Sequence, residues 1–315
     1  MSDLINVHNG NNMRIVVVGN GMVGHHFVEQ LIQQNNVPSN ADNAINATQL
    51  DIVVLSAEPR LAYDRVHLSE YFSGKTAEEL ALTSPEYYQA HNIKFALNAK
   101  VTNINKLTKS VTTEAGDVFE YDKLVLSTGS YPFVPPIPGN DQPHCLVYRT
   151  IEDLENISAS SAVSKVGVVV GGGLLGLEAA NALKEAGLHT HVVEFAPQLM
   201  AVQVDNVGGR VLRSKIEALG VQVHTQKATQ SIVAGDTCRY KMCFADGEVL
   251  ETDMILFSAG IRPQDALARE FDIDIGERGG IVVNDQCLTS DASIYAIGEC
   301  ALWNNFIFGL VAPGY

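Results

Sequence analysis

Gly19-Asn20-Gly21-Met22-Val23-Gly24 follows directly on the apolar run Ile15-Val16-Val17-Val18, and Gly171-Gly172-Gly173-Leu174-Leu175-Gly176 follows directly on Val166-Gly167-Val168-Val169-Val170. Each glycine hexad therefore stands where a strand turns into a helix. In such a turn the first Gly permits a tight bend, the second lets backbone N–H groups reach a pyrophosphate, and the third lets helix and strand pack closely. The helix N-terminus then favours the phosphate charge. One such hexad is weak evidence of a nucleotide; two, each in strand–turn–helix context, point to two dinucleotide sites.

Working outward, the first unit reads as a strand over 14–18, a helix over 22–34 and a strand over 52–55. The polar stretch 35–49, with Pro38 and Ser39, reads as a surface loop. The second unit repeats the plan with a strand over 166–170, a helix over 174–186 closed by Gly187, and a strand over 190–193. Two such βαβ starts predict an α/β protein of two Rossmann-like domains with central parallel sheets. Between them, 94–120 reads as short alternating strands. Tyr121-Asp122-Lys123 leads into the apolar run 124–126, and Pro132, Pro135, Pro136 and Pro138 read as an extended linker.

An acid after the second strand of each unit would accept hydrogen bonds from a ribose diol. Glu194 lies 18 positions past Gly176, close to the expected spacing of about 20. Glu58 lies 34 positions past Gly24, an excess that matches the 35–49 insertion.

Composition narrows the classes. A net charge of −15 over 315 residues argues against nucleic acid as a partner, because phosphate backbones are bound by excess Lys and Arg. No apolar stretch approaches the ~20 residues of a membrane span. Residues 1–12 read as a disordered tail without a targeting pattern, so a cytoplasmic protein is expected. Cys145, Cys238, Cys243, Cys287 and Cys300 are scattered, with no CxxC among them, and predict reduced thiols and no metal site. His67 has no triad-like surroundings, and no catalytic side chain is assigned: two bound dinucleotide cofactors can exchange a hydride directly, with the protein supplying orientation and electrostatics.

Beyond Asn12 the chain resembles the FAD/NAD-linked reductases of the pyridine nucleotide–disulfide oxidoreductase superfamily. The landmarks are the first hexad, Ala62-Tyr63-Asp64-Arg65, Leu126-Ser127-Thr128-Gly129, Arg149-Thr150-Ile151-Glu152-Asp153-Leu154, Gly171 to Glu178, Ser258-Ala259-Gly260-Ile261-Arg262-Pro263, and Ile294-Tyr295-Ala296-Ile297-Gly298-Glu299. Within the superfamily, the run from Ala62 to Phe72 and the stretches 298–302 and 309–315 look most like the large subunits of NADH-dependent nitrite reductases.

The resemblance implies FAD on Gly19, Gly21, Met22, Gly24, Glu58, Arg65, Thr128, Gly129, Gly298 and Glu299, and NADH on Gly171, Gly173, Leu175, Gly176, Glu178, Glu194 and Gly260. It also implies a division into a first FAD segment over 13–145, an inserted NAD domain over 146–261, and a second FAD segment over 262–315. Siroheme and an iron–sulfur cluster would belong to a missing downstream part, with further redox domains or a small subunit as partners, and a homodimer as one form of assembly. Ala57 occupies a position where relatives often carry the first of two acids, which leaves the register of Glu58 open. Glu70 stands where ferredoxin-reductase relatives place a Lys. The segment 61–73 has no Cys, which argues against a disulfide reductase and for electron transfer outward. A stand-alone NADH:rubredoxin or ferredoxin reductase, and a non-catalytic nucleotide-binding redox sensor, are the alternatives.

Overall fold

The computed structural model describes residues 12–35 and 49–307. The expected tail up to Asn12, the 35–49 insertion apart from its end residues, and the 309–315 motif lie outside the described residues. The chain forms two compact units. One comprises the chain to Val66, Glu78–Ser130 and the chain from Pro263; the other comprises His67–Ala77 and Tyr131–Arg262.

The first unit begins with β1 (Asn12–Val18), α1 (Met22–Asn35) and β2 (Gln49–Leu55), followed by α2 (Pro85–Ala90) and β3 (Lys94–Ala96). An antiparallel meander comes next, β4 (Val101–Asn105), β5 (Ser110–Thr113) and β6 (Val118–Glu120), and then β7 (Lys123–Leu126). β8 (Ser130–Pro132) carries the chain out of this unit.

The second unit holds β9 (Cys145–Val147), α3 (Ile151–Ser161), β10 (Val166–Val170), α4 (Leu174–Glu185), β11 (His189–Val193), α5 (Asn206–Ala218) and β12 (Gln222–His224). A second meander, β13 (Thr229–Ala234), β14 (Tyr240–Phe244) and β15 (Val249–Thr252), precedes β16 (Met254–Phe257). β17 (Ile261–Pro263) returns the chain to the first unit, which ends its described part with α6 (Ala266–Glu270), β18 (Ile281–Val282), β19 (Ile294–Ala296), β20 (Ala301–Trp303) and β21 (Phe306–Ile307).

Each unit is built on a five-stranded parallel sheet, ordered β19-β7-β1-β2-β3 in the first and β12-β11-β10-β16-β9 in the second. Parallel strands covered on both faces read as continuous apolar runs, and alternate residues bury on opposite sides. Val16, Val18, Val53, Leu55, Leu124 and Leu126 pack on one face of the first sheet, and Ile15, Val17, Ile52, Val54 and Val125 on the other. Each such side chain contributes about 1.5–3 kcal/mol when fully buried. In the second unit Val168, Val170, Val193, Ile255 and Phe257 pack with Ile232, Tyr240, Met242 and Phe244 of the meander.

The compact division departs from the expected boundaries at two places. Residues 131–145 pack with the second unit: Val134 and Ile137 join its core, the Tyr240 hydroxyl donates to the Pro143 carbonyl, and Gln142 Nε2 donates to the Ile232 carbonyl at 3.2 Å. The prolines there are a packed segment and not a free linker. Residues 67–77, whose 3-10 turn Leu68–Ser73 lies against α3 and α4, also join this unit. Among the described residues no helix is long and apolar enough to cross a membrane.

Candidate functional site

The two glycine turns share the same pair of flanking backbone bonds. Gly19 N donates to Leu55 O and Ser127 N to Val18 O, both at 2.8 Å; Gly171 N donates to Val193 O and Ser258 N to Val170 O, also at 2.8 Å. Each turn thus sits at the C-terminal edge of its sheet, between the strand that follows it in sequence and one that returns from far along the chain. That is the topological switch point at which open α/β sheets bind ligands.

The glycines divide into two kinds. Gly19 and Gly171 take left-handed backbones, φ +111° and +122°, and a Cβ on either would lie 2.2 Å from the carbonyl oxygen of Ser127 or Ser258. A Cβ on Gly24 would lie 2.4 Å from Gly19 O, and one on Gly176 would lie 2.0 Å from Gly171 O. These four are glycines because backbone already fills the space. Gly21 and Gly173 have no atom within 4 Å of the same point, and neither does Gly260 at φ +103°. Open space at the second glycine of each turn, beside the first turns of α1 and α4, is what a pyrophosphate approaching backbone amides requires. The turns fit the group the sequence implies. Met22 opens α1, and Leu175, in the first turn of α4, is exposed.

In the second unit Glu194 follows β11 directly. Its Oε2 accepts from Gly172 N and its Oε1 from Ala196 N, both at 2.6 Å, so the carboxylate braces the glycine turn. Lys227, whose amide donates to the Glu194 carbonyl, gives its ammonium to Asp246 at 2.5 Å and Glu248 at 2.8 Å. Phe195, the next residue, is 78% exposed. Glu178, on α4, is half-buried, and burial raises its pKa. Burial, joined by Glu178, likewise pushes the Tyr148 phenol up.

In the first unit the position equivalent to Glu194, one residue past the strand end, is held by Ser56; Glu58 lies two residues further. Glu58 meets Arg65 in an ion pair and accepts from the Tyr63 hydroxyl at 2.8 Å. The Arg65 guanidinium also lies 4.6 Å from the centre of the Tyr63 ring. Burial opposes the Arg65 charge, but Tyr63, Glu58 and Glu299 together raise its pKa. Glu299 accepts from Ser130 Oγ at 2.6 Å. A Cβ on Gly298 would lie 3.2 Å from Val23, which puts that glycine beside the first turn of α1. Of the residues assigned to FAD, Glu58 and Glu299 therefore act on one cation, Arg65, and Gly298 lies at the start of α1.

Thr128 and Gly129 are differently occupied. Thr128 Oγ1 donates to Gln264 O at 2.6 Å and Gln264 N donates to Gly129 O at 2.9 Å, a strap between two chain segments. Ser127 was not singled out by sequence. Its hydroxyl donates to Gly19 O at 2.9 Å and so fixes the first turn. The signal was the repeat Ser127-Thr128-Gly129 and Ser258-Ala259-Gly260 at corresponding strand ends.

A family model described as pyridine nucleotide-disulphide oxidoreductase matches residues 13–312. The large subunit of nitrite reductase (NADH) from Escherichia coli (strain K12) is 55% identical over 304 residues, which cover 96% of this chain and 35% of the relative. The nitrite reductase [NAD(P)H] large subunit of Klebsiella oxytoca is 54% identical, with 96% and 30% covered. The chain thus spans about a third of the length of these relatives. Among solved structures, a ferredoxin reductase from Rhodopseudomonas palustris superposes with a TM-score of 0.81 at 26% identity, over 93% of this chain and 69% of that one. Doubled glycine turns at doubled switch points and a family match over nearly the whole length agree: the chain belongs to the pyridine nucleotide-disulphide oxidoreductase family, whose members bind FAD and NAD(P)H.

Proposed function

We propose that this oxidoreductase is the electron-entry portion of a cytoplasmic NADH-dependent nitrite reductase. NADH is its reductant and FAD its resident cofactor. Reduction of nitrite to ammonia belongs to siroheme and iron–sulfur centres in further domains or a small subunit. When bound, FAD supplies the ability to take a hydride from a nicotinamide and release its electrons singly.

The chain's own residues bind and orient. The FAD segments are 13–145 and 262–315 as assigned by resemblance, with the 131–145 stretch serving as support for the NAD domain. Gly19 and Gly24 shape a turn whose open side at Gly21 receives a pyrophosphate. Arg65 holds Glu58 in an ion pair and lies within the field of the Glu299 carboxylate. In the second unit Gly173 is the open position, and Glu194 presents a carboxylate to the ribose of NADH. The observation that carries this reading is the pair of open second glycines, Gly21 and Gly173, in turns that share the same two flanking backbone bonds.

The test is turnover with an artificial acceptor. The purified chain supplied with FAD should reduce ferricyanide with NADH and form no ammonium from NADH and nitrite. Absence of NADH-driven ferricyanide reduction would overturn the redox reading, and ammonium formation would overturn its assignment as an entry module.

A further inference from the structure

Asn20 lies between Gly19 and Gly21, yet the residue is only 7% exposed. Its Oδ1 accepts a 2.8 Å hydrogen bond from the hydroxyl of Tyr88, on α2, 68 residues along the chain. Asn20 Nδ2 is buried and has no hydrogen-bond partner among the described residues. The Tyr88 bond therefore holds the side chain by one end. Tyr88 is fully buried, its ring edge-on to Phe95 at 5.4 Å in the core beneath the sheet.

His25, on α1, completes the arrangement. Its Nδ1 lies 3.2 Å from the Tyr88 hydroxyl, and its backbone N–H donates to Gly21 O at 3.0 Å. Burial holds His25 below its ordinary pKa against Glu29, whose carboxylate lies 3.5 Å from Nε2.

We propose that Tyr88 is a positioning residue for the dinucleotide: through Asn20 it anchors the first glycine turn from behind and keeps the turn's amides aimed at the open side. The proposal rests on the assignment of FAD to this turn. A turn rich in glycine has many conformations to lose on binding, and an anchored one has already lost them. Tyr88 touches the ligand at no point in this scheme.

The experiment titrates FAD into the FAD-stripped full chain for the wild type, Tyr88→Phe, Asn20→Ala and the double variant, and reads KM for NADH at saturating FAD. One buried hydrogen bond corresponds to roughly a 5–10-fold change in affinity. Each single variant should weaken FAD binding by about that factor, the double variant should be no weaker than the worse single one, and KM for NADH should stay unchanged. Tyr88→Phe keeps the ring in the core; if it fails to fold, Asn20→Ala reads the same bond from its other end. Unchanged FAD affinity in the variants, or two effects that multiply in the double variant, would overturn the proposal. A wild-type chain that binds no FAD would instead remove the assignment on which it rests.

Discussion

Glu194 accepts a 2.6 Å hydrogen bond from the backbone amide of Gly172, so the residue expected to select the coenzyme is also a strut of the turn proposed to bind it. A carboxylate there accepts from a ribose 2′-OH and repels a 2′-phosphate. The ammonium of Lys227 is engaged by Asp246 and Glu248. NADH should therefore be preferred over NADPH in kcat/KM with ferricyanide as acceptor. Glu194→Ala should lower kcat/KM for NADH by roughly 10–100-fold, the loss of a charge-assisted bond, and narrow the gap between coenzymes. Equal use of both coenzymes by the wild type would refute the role.

The glycines of one turn should fail in different ways. A Cβ on Gly21 meets open space, whereas one on Gly24 meets the Gly19 carbonyl at 2.4 Å. Gly21→Val should leave a folded chain that no longer retains FAD. Gly24→Ala should lower the stability of the first unit itself by roughly 1–3 kcal/mol through overpacking. FAD titration and urea denaturation on both variants separate the two effects, and a Gly21→Val chain with wild-type FAD content would show that pyrophosphate does not approach there.

Arg65 holds Glu58 in an ion pair while lying over the Tyr63 ring. Arg65→Met would leave Glu58 without this partner. We expect a loss of roughly 1–3 kcal/mol in urea denaturation, together with weaker FAD retention. Arg65→Lys should not restore either property, because an ammonium cannot reproduce a planar guanidinium over a ring. Full rescue by Lys would reduce Arg65 to a point charge.

Acid sensitivity should trace to the second unit. His191 Nδ1 lies 3.0 Å from His224 Nε2, and burial first, then His224 and His189, lower the His191 pKa from 6.5 to about 4. The unfolded chain takes up a proton near pH 6.5, while the folded chain takes it up only near pH 4. His191 therefore has no effect above pH 6.5 and costs stability progressively as pH falls towards 4, at no more than about 1.4 kcal/mol per pH unit. Denaturation midpoints measured across that window should fall, and less steeply in His191→Gln. Equal slopes would assign the acid limb elsewhere.

The sheets and turns were legible in the sequence because Val and Ile runs ending in glycine hexads are local patterns. Glu194 was legible by its spacing. The first-unit acid was harder: Glu58 meets Arg65 and Tyr63, and the site equivalent to Glu194 is Ser56, because the insertion before β2 removes any spacing rule. Long-range partners left no local signal. The Tyr88 hydroxyl reaches Asn20 across 68 residues, and Ser130 reaches Glu299 across 169, so only the fold joins them. The stretch from Pro132 to Pro138 read as an extended linker because its prolines suggest extension, whereas Val134 and Ile137 pack into the second core.

The central claim is that one chain carries both a flavin and a site for its nicotinamide reductant. The most direct measurement is the visible absorbance of the purified, FAD-supplied chain under anaerobic conditions, before and after one equivalent of NADH. The account predicts a bound flavin whose visible band bleaches on addition of NADH and returns when ferricyanide is added. A chain that holds no flavin, or a bound flavin whose spectrum is indifferent to NADH, would contradict it.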